Sequence, residues 1–158
     1  MIKISYNREE ALKYANKWAL SRNPDYYNFD GIGGDCTNFI SQCLFAGAKV
    51  MNFTPDTGWY YKGLNDRAAA WSSVEYLYKF LVENKGVGPR GRVVSKDGII
   101  PGDIIQLENG GRHYHSLFIM RTNPVILVSA HTFDALNRPL LSYNYNSARF
   151  IHITEVYN

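Results

Sequence analysis

No stretch of this chain approaches the ~18 consecutive apolar residues that a membrane span requires. Its first residues, Met1-Ile2-Lys3-Ile4-Ser5, lack the apolar core of a signal peptide. The expectation is a chain with no membrane partner and with its compartment left open. Charge of one sign is also scarce: 17 Lys and Arg against 14 Asp and Glu leave a net charge of +3, too little to imply a nucleic-acid partner. The basic residues Lys85, Arg90, Arg92 and Lys96 stand among glycines and read as a solvated loop. Cysteine is rarer still, with only Cys36 and Cys43. Placed in one predicted helix, their Cα atoms lie about 10 Å apart, beyond the ~7 Å that a disulfide spans. An oxidised framework is thereby excluded, and the thiols call for another explanation. Repeats and low-complexity segments are absent too, and 158 residues of ordinary globular composition predict one domain, residues 1–158.

What is present is a thiol placed directly after a glycine turn, in Gly33-Gly34-Asp35-Cys36-Thr37-Asn38-Phe39. A helix beginning at Cys36 offers unpaired N–H groups and a partial positive charge, which favour thiolate and so make a nucleophile. Glycines beside it permit the turn and let a substrate approach the backbone. The alternative is an inert core cysteine, the ordinary state of a free thiol. Cys43 serves as an internal control, lying mid-helix beside Leu44 and Phe45 and reading as core. Asp35 is expected to cap the helix and to act structurally.

The hydrophobic period divides the chain. Asn7-Arg8-Glu9-Glu10 has capping-box form ahead of a helix over 8–20, the Cys36 helix runs to Gly47, and Ser72-Ser73-Val74-Glu75 opens a third helix ending near Gly86. Residues 48–70 show no clear period. Short apolar runs at 103–107, 115–120, 125–130 and 150–153, separated by Asn-Gly-Gly, Asn-Pro and Asn-Arg-Pro, read as strands. Helices ahead of strands predict an α+β domain, with the nucleophile's helix packed on an antiparallel sheet or small barrel.

A cysteine nucleophile needs a base, and the base needs an orienting group. His113 and His115 flank Tyr114 and are expected on one strand face, while His131 ends the next apolar run, near the same end of the sheet as His115. His-x-His is also a metal-ligand spacing, and with His131 or Asp134 it makes a zinc hydrolase the rival reading. The tyrosines and Trp59-Tyr60-Tyr61 suit a wet groove for peptides or sugars, or a core.

With these stretches, the chain resembles the amidase-domain family of Gram-positive bacteria, thiol hydrolases similar to the papain-like NlpC and CHAP cell-wall enzymes. The matching residues are Asn23-Pro24-x-Tyr26, the run from Gly33 to Gln42, Trp71, Pro101-Gly102-Asp103-Ile104-Ile105, His115-Ser116, and His131-Thr132-x-Asp134-x-x-Asn137-x-x-Leu140. The resemblance implies a papain-like, NlpC-like fold, with Cys36 as nucleophile, His115 as base, His113 as its alternative, and His131 as third member, Asp134 and Asn137 being other candidate orienters. It also implies an aromatic oxyanion support at Tyr26 or Tyr27. Tyr27, Asn38, Trp59 and Asp134 are expected to contact substrate, with no metal or cofactor, and the chain is expected to act as a monomer on a peptide or peptidoglycan fragment. An acyltransferase or transpeptidase using the same residues, and a non-catalytic wall-binding module, are the other classes.

Overall fold

The computed structural model describes Met1–Asn158. Strand β1 (Lys3–Ile4) leads to Asn7, whose side chain accepts from the Glu10 N–H and closes the expected capping turn of α1 (Arg8–Trp18). Ala11 and Ala15 are fully buried, and their small side chains let α1 lie close on α2 (Cys36–Ala48). Helix α2 buries all but two of its 13 residues, so it is the central helix of the helical layer. It runs past Gly47 and stops at Lys49, which adopts a left-handed φ of 60°. Gly47 serves a different end: a Cβ there would lie 2.6 Å from the Tyr6 ring and 2.8 Å from the Asn7 carbonyl. It is the seat of the β1–α1 connection.

A small hairpin of β2 (Tyr61–Gly63) and β3 (Asp66–Arg67) precedes α3 (Ala69–Ser72) and α4 (Val74–Glu83). The expected third helix is thus two, broken at Ser73, which is extended and whose side chain makes no cap bond. Beyond them lie β4 (Gly88–Val94), β5 (Ile104–Asn109), β6 (Arg112–Arg121), β7 (Leu127–Ala130), β8 (Ala135–Pro139) and β9 (Ser147–Tyr157). With β1 they form one seven-stranded antiparallel sheet in the order β1-β9-β5-β6-β7-β8, β4 pairing with β9. No pairing joins β8 back to β1 or β4, so the sheet is open rather than a barrel.

The four expected strands are present as β5, β6, β7 and β9. Two segments depart from expectation. Residues 88–94, read as a solvated basic loop, pair with β9 from Gly88↔Tyr157 to Val94↔Phe150. Glycine, proline and arginine are tolerated there because β4 is an edge strand, and Arg90 lies over the Tyr157 ring at 3.9 Å. Asn137-Arg138-Pro139, read as a turn, falls inside β8, and the reversal occurs at 131–134 instead.

Strand alternation gives the sheet two different faces. Ile104, Phe118, Ile151 and Ile153 join the core beneath the helices, with Phe39, Ile40, Leu44 and Trp71. On the other face Ile105, Leu107, Leu117, Ile119 and Val128 form a second cluster, closed over by Leu140 and Tyr143. Which face a side chain of β6 joins therefore decides whether it can meet Cys36.

Candidate active site

The start of α2 is held by a buried polar knot. Gly33 and Gly34 take φ values of 80° and 99°, which L side chains rarely adopt, and they turn the chain into the helix. The Asp35 N–H donates to Thr132 Oγ1 at 3.0 Å. The Asp35 carboxylate does not cap its helix as expected. Its Oδ1 accepts from the Phe29 N–H (2.9 Å) and from Asn38 Nδ2 (2.8 Å), and its Oδ2 meets His131 Nδ1 at 2.6 Å. Burial pushes this acid up, but the bonds from His131, Phe29 and Asn38 outweigh it and hold Asp35 below the usual carboxylate range. The Cys36 N–H, at the first position of α2, has no hydrogen-bond partner in the protein, as the first N–H groups of a helix have none within it.

Cys36 is the first residue of α2 and is 9% exposed. Burial pushes its thiol up, the N–H of Ser116 and the hydroxyl and N–H of Thr37 pull it down, and Asp35 adds to the upward push. The net direction is upward, so the resting thiol is protonated at neutral pH, contrary to the thiolate expected from the helix start alone. Desolvation outweighs the helix terminus here. Cys43 is fully buried and pushed up further still, as its core position predicts.

A groove of about 910 Å³ opens over Cys36. It is lined by the 33–37 turn without Asp35, by residues 72–75, by residues 111–114 and by Arg149. His113 belongs to it and His115 does not. The cause is a bulge: Leu107 pairs with His115, but the next residue, Glu108, pairs with His113, so one extra residue of β6 is accommodated at Tyr114. The two histidines, expected on one face, therefore point to opposite faces. His115 shares the face of Leu107 and Leu117 and packs by Tyr143, ring centroids 6.0 Å apart. Burial, with Arg138 adding to it, pushes His115 down to about 4. His113 shares the face of Ser116 and Arg149, and burial with the nearby Arg149 lowers it while Glu75 and Glu108 oppose. The His-x-His ligand pair is not formed either.

His131 lies on the helix side, stacked on Phe39 at 4.0 Å and buried. Its Nδ1 meets Asp35 and its Nε2 meets the Trp18 carbonyl at 2.7 Å, so neither nitrogen is left to orient a second histidine. It ties the turn before Cys36 to the C-terminal end of α1 instead. Asp134 grips Arg22 through both oxygens at 2.8 and 2.9 Å and touches no histidine. Asn137 lies within β8. Asn38 is buried, donating to the Tyr27 carbonyl and Asp35 and accepting from Trp71 Nε1. Trp59 is fully buried, its indole N–H donating to Ser41 Oγ and its ring stacked on Phe80. Both are braces of the helical layer rather than groove surface, because their polar atoms are spent inside. Tyr27 is partly exposed, edge-on to Phe29, and its N–H donates to the Tyr61 hydroxyl. Arg149, which sequence reasoning passed over, is a groove residue whose signal was the one Lys or Arg in a strand carrying Phe150, Ile151, Ile153 and Val156.

The fold and site define an α+β protein with a free thiol at a helix start and an imidazole across one groove. Comparison places it more closely. A family model described as "Putative amidase domain" matches residues 5–154, and the chain belongs to that family. Membership suggests a hydrolase of amide bonds. The chain is similar to the uncharacterized protein YhbB of Bacillus subtilis (strain 168), 36% identical over 145 residues, covering 85% of this chain and 44% of that protein. It is also similar to the uncharacterized protein YjcM of the same organism, 25% identical over 144 residues, covering 85% of this chain and 32% of that protein. The chain thus spans less than half the length of these curated relatives. No solved structure matches it.

Proposed function

We propose that the protein is a thiol amidase, hydrolysing a peptide amide through a thioester on Cys36, with His113 as general base and acid. The observation that carries this reading is the position of Cys36: first residue of the central helix, its own N–H unpaired, in the one groove that it shares with an imidazole. As substrate closes the groove, His113 takes the thiol proton and the sulfur attacks the amide carbonyl, forming the C–S bond. The oxyanion accepts from the Cys36 N–H, a donor of a kind whose loss costs about 3 kcal/mol in such sites. His113 then gives its proton to the departing amine as the C–N bond breaks. The same imidazole next takes a proton from water, whose oxygen displaces the sulfur to release the carboxylic acid, and then returns that proton to the Cys36 sulfur.

The upward push on the Cys36 thiol suits this order of events, since the proton is removed by a base within the complex rather than beforehand. A bacterial cell-wall peptide is the substrate class, supported by the polar, charged groove, the family's amidase description and its Bacillus members. The test is to trap the intermediate by mass spectrometry after rapid acid quench with short cell-wall peptides. A mass added at Cys36, absent in Cys36→Ala and released by hydroxylamine, is the expected result. Peptide hydrolysis that persists in Cys36→Ala ends the reading.

A further inference from the structure

Arg149 is held in a way that leaves one end free. Gln106, fully buried on β5, donates through Nε2 to the Val74 carbonyl (3.0 Å) and to Ser116 Oγ (3.1 Å), which turns its Oε1 toward Arg149 Nε at 2.8 Å. Arg149 Nη2 donates to Glu75 at 3.0 Å, and the guanidinium lies 3.7 Å from the Tyr78 ring centroid. Its Nη1 has no partner in the protein, and Arg149 lines the Cys36 groove. The groove carries two guanidinium groups, Arg149 and Arg112, against one carboxylate, Glu75. A guanidinium fixed through Nε and over an aromatic face, with an open Nη, is prepared for a carboxylate.

Its distance from the chemistry follows from register. Arg149, Gln106 and Ser116 stand side by side on three adjacent strands, and Ser116 Oγ lies 3.0 Å from the hydroxyl of Thr37, the residue after Cys36. At ~4.8 Å per strand, Arg149 lies about 10 Å across from Ser116, which is two to three residues of extended peptide at about 3.3 Å each. His113 shares that side of the groove and senses Arg149. Since His113 protonates the departing amine, the leaving fragment is the one that runs toward Arg149. We propose that Arg149 anchors a carboxylate on the leaving fragment of the substrate, two to three residues C-terminal to the scissile amide. This rests on the thiol-amidase reading of the same groove.

The test uses alkylation of Cys36, which does not require turnover. Chloroacetyl-Ala-Ala with a free carboxylate, its C-terminal amide, and chloroacetyl-Ala-Glu-amide are compared by mass spectrometry at subsaturating concentration. The acid is expected to modify Cys36 about tenfold faster than the neutral amide, the worth of one charge-assisted hydrogen bond. Arg149→Gln brings that ratio to about one, and the chain is shown to remain folded by iodoacetamide still modifying Cys36 ahead of the fully buried Cys43; Arg149→Lys retains part of the preference. A fast Glu-amide reagent assigns the anchor to side-chain carboxylates as well, and a slow one to chain termini. Equal rates for acid and amide in the unmodified protein, a preference that survives Arg149→Gln, or a Cys36 that neither peptide reagent reaches overturns the anchor. A chain that shows the preference yet releases no amine from any peptide keeps the anchor and loses the hydrolase; one that hydrolyses peptide acids and amides equally keeps the hydrolase and loses the anchor.

Discussion

Replacing His115 with leucine separates the two histidines by thermodynamics. Burial, with Arg138 adding to it, pushes His115 from the ordinary 6.5 down to about 4. Between those values the unfolded chain binds a proton that the folded chain refuses, so stability falls as the pH drops through that window. At about 1.36 kcal/mol per unit, the full loss is about 3 kcal/mol, of which about 2–3 kcal/mol is felt by pH 4.5. That is a substantial share of the ~5–15 kcal/mol that holds a typical domain. Leucine fits the apolar face beside Leu117 and Tyr143 and removes the titration. In urea unfolding at pH 7 and pH 4.5, the unmodified protein should lose about 2 kcal/mol more than His115→Leu, a midpoint difference of about 1 M. The iodoacetamide rate at Cys36 should be the same in both proteins. Equal acid destabilisation of the two, or a Cys36 that loses reactivity in His115→Leu, refutes the placement of His115 behind the sheet.

Four further outcomes follow from the knot, its turn and the core. His131→Ala removes one partner of the buried Asp35 carboxylate, which keeps the Phe29 N–H, Asn38 and Arg22, and should cost about 1–3 kcal/mol, read as a lowered thermal midpoint. Gly34→Ala combines a φ of 99° with a new Cβ 3.3 Å from Thr132 Oγ1 and should cost about 1–3 kcal/mol. Gly31→Ala meets nothing within 4 Å and should be close to neutral by the same melt. Trp59→Ala removes a fully buried ring and should cost about 3–5 kcal/mol in chemical unfolding, while the acid-to-amide ratio of Cys36 alkylation stays the same in the protein that remains folded.

The start of α2 was legible because its signals are local: two glycines, a cap-type residue and an apolar run that stays buried all round. The same holds for α1, whose Asn7 cap is made as its pattern demands. What escaped the sequence depends on partners distant in the chain. Strand β4 reads as a basic glycine loop until β9 lies beside it, where Gly91 admits Ile151 at 2.9 Å from where a Cβ would stand. Trp59 sits in a stretch without period, and only the fold shows that Ser41 takes its N–H. That His113 and His115 fall on opposite faces turns on one extra residue at Tyr114, which no alternation pattern marks in advance. The partners of His131, Asp35 and the Trp18 carbonyl, lie far from it in the chain and could not be read from its place at the end of an apolar run.

The central claim is that Cys36 and His113 act together on a peptide amide while His115 stands apart. Amine release from a panel of short cell-wall peptides by the unmodified protein, Cys36→Ala, His113→Gln and His115→Leu tests it most directly. The account predicts release by the unmodified protein and by His115→Leu at about neutral pH, and none above background from Cys36→Ala or His113→Gln. Release that survives in His113→Gln and disappears in His115→Leu contradicts it.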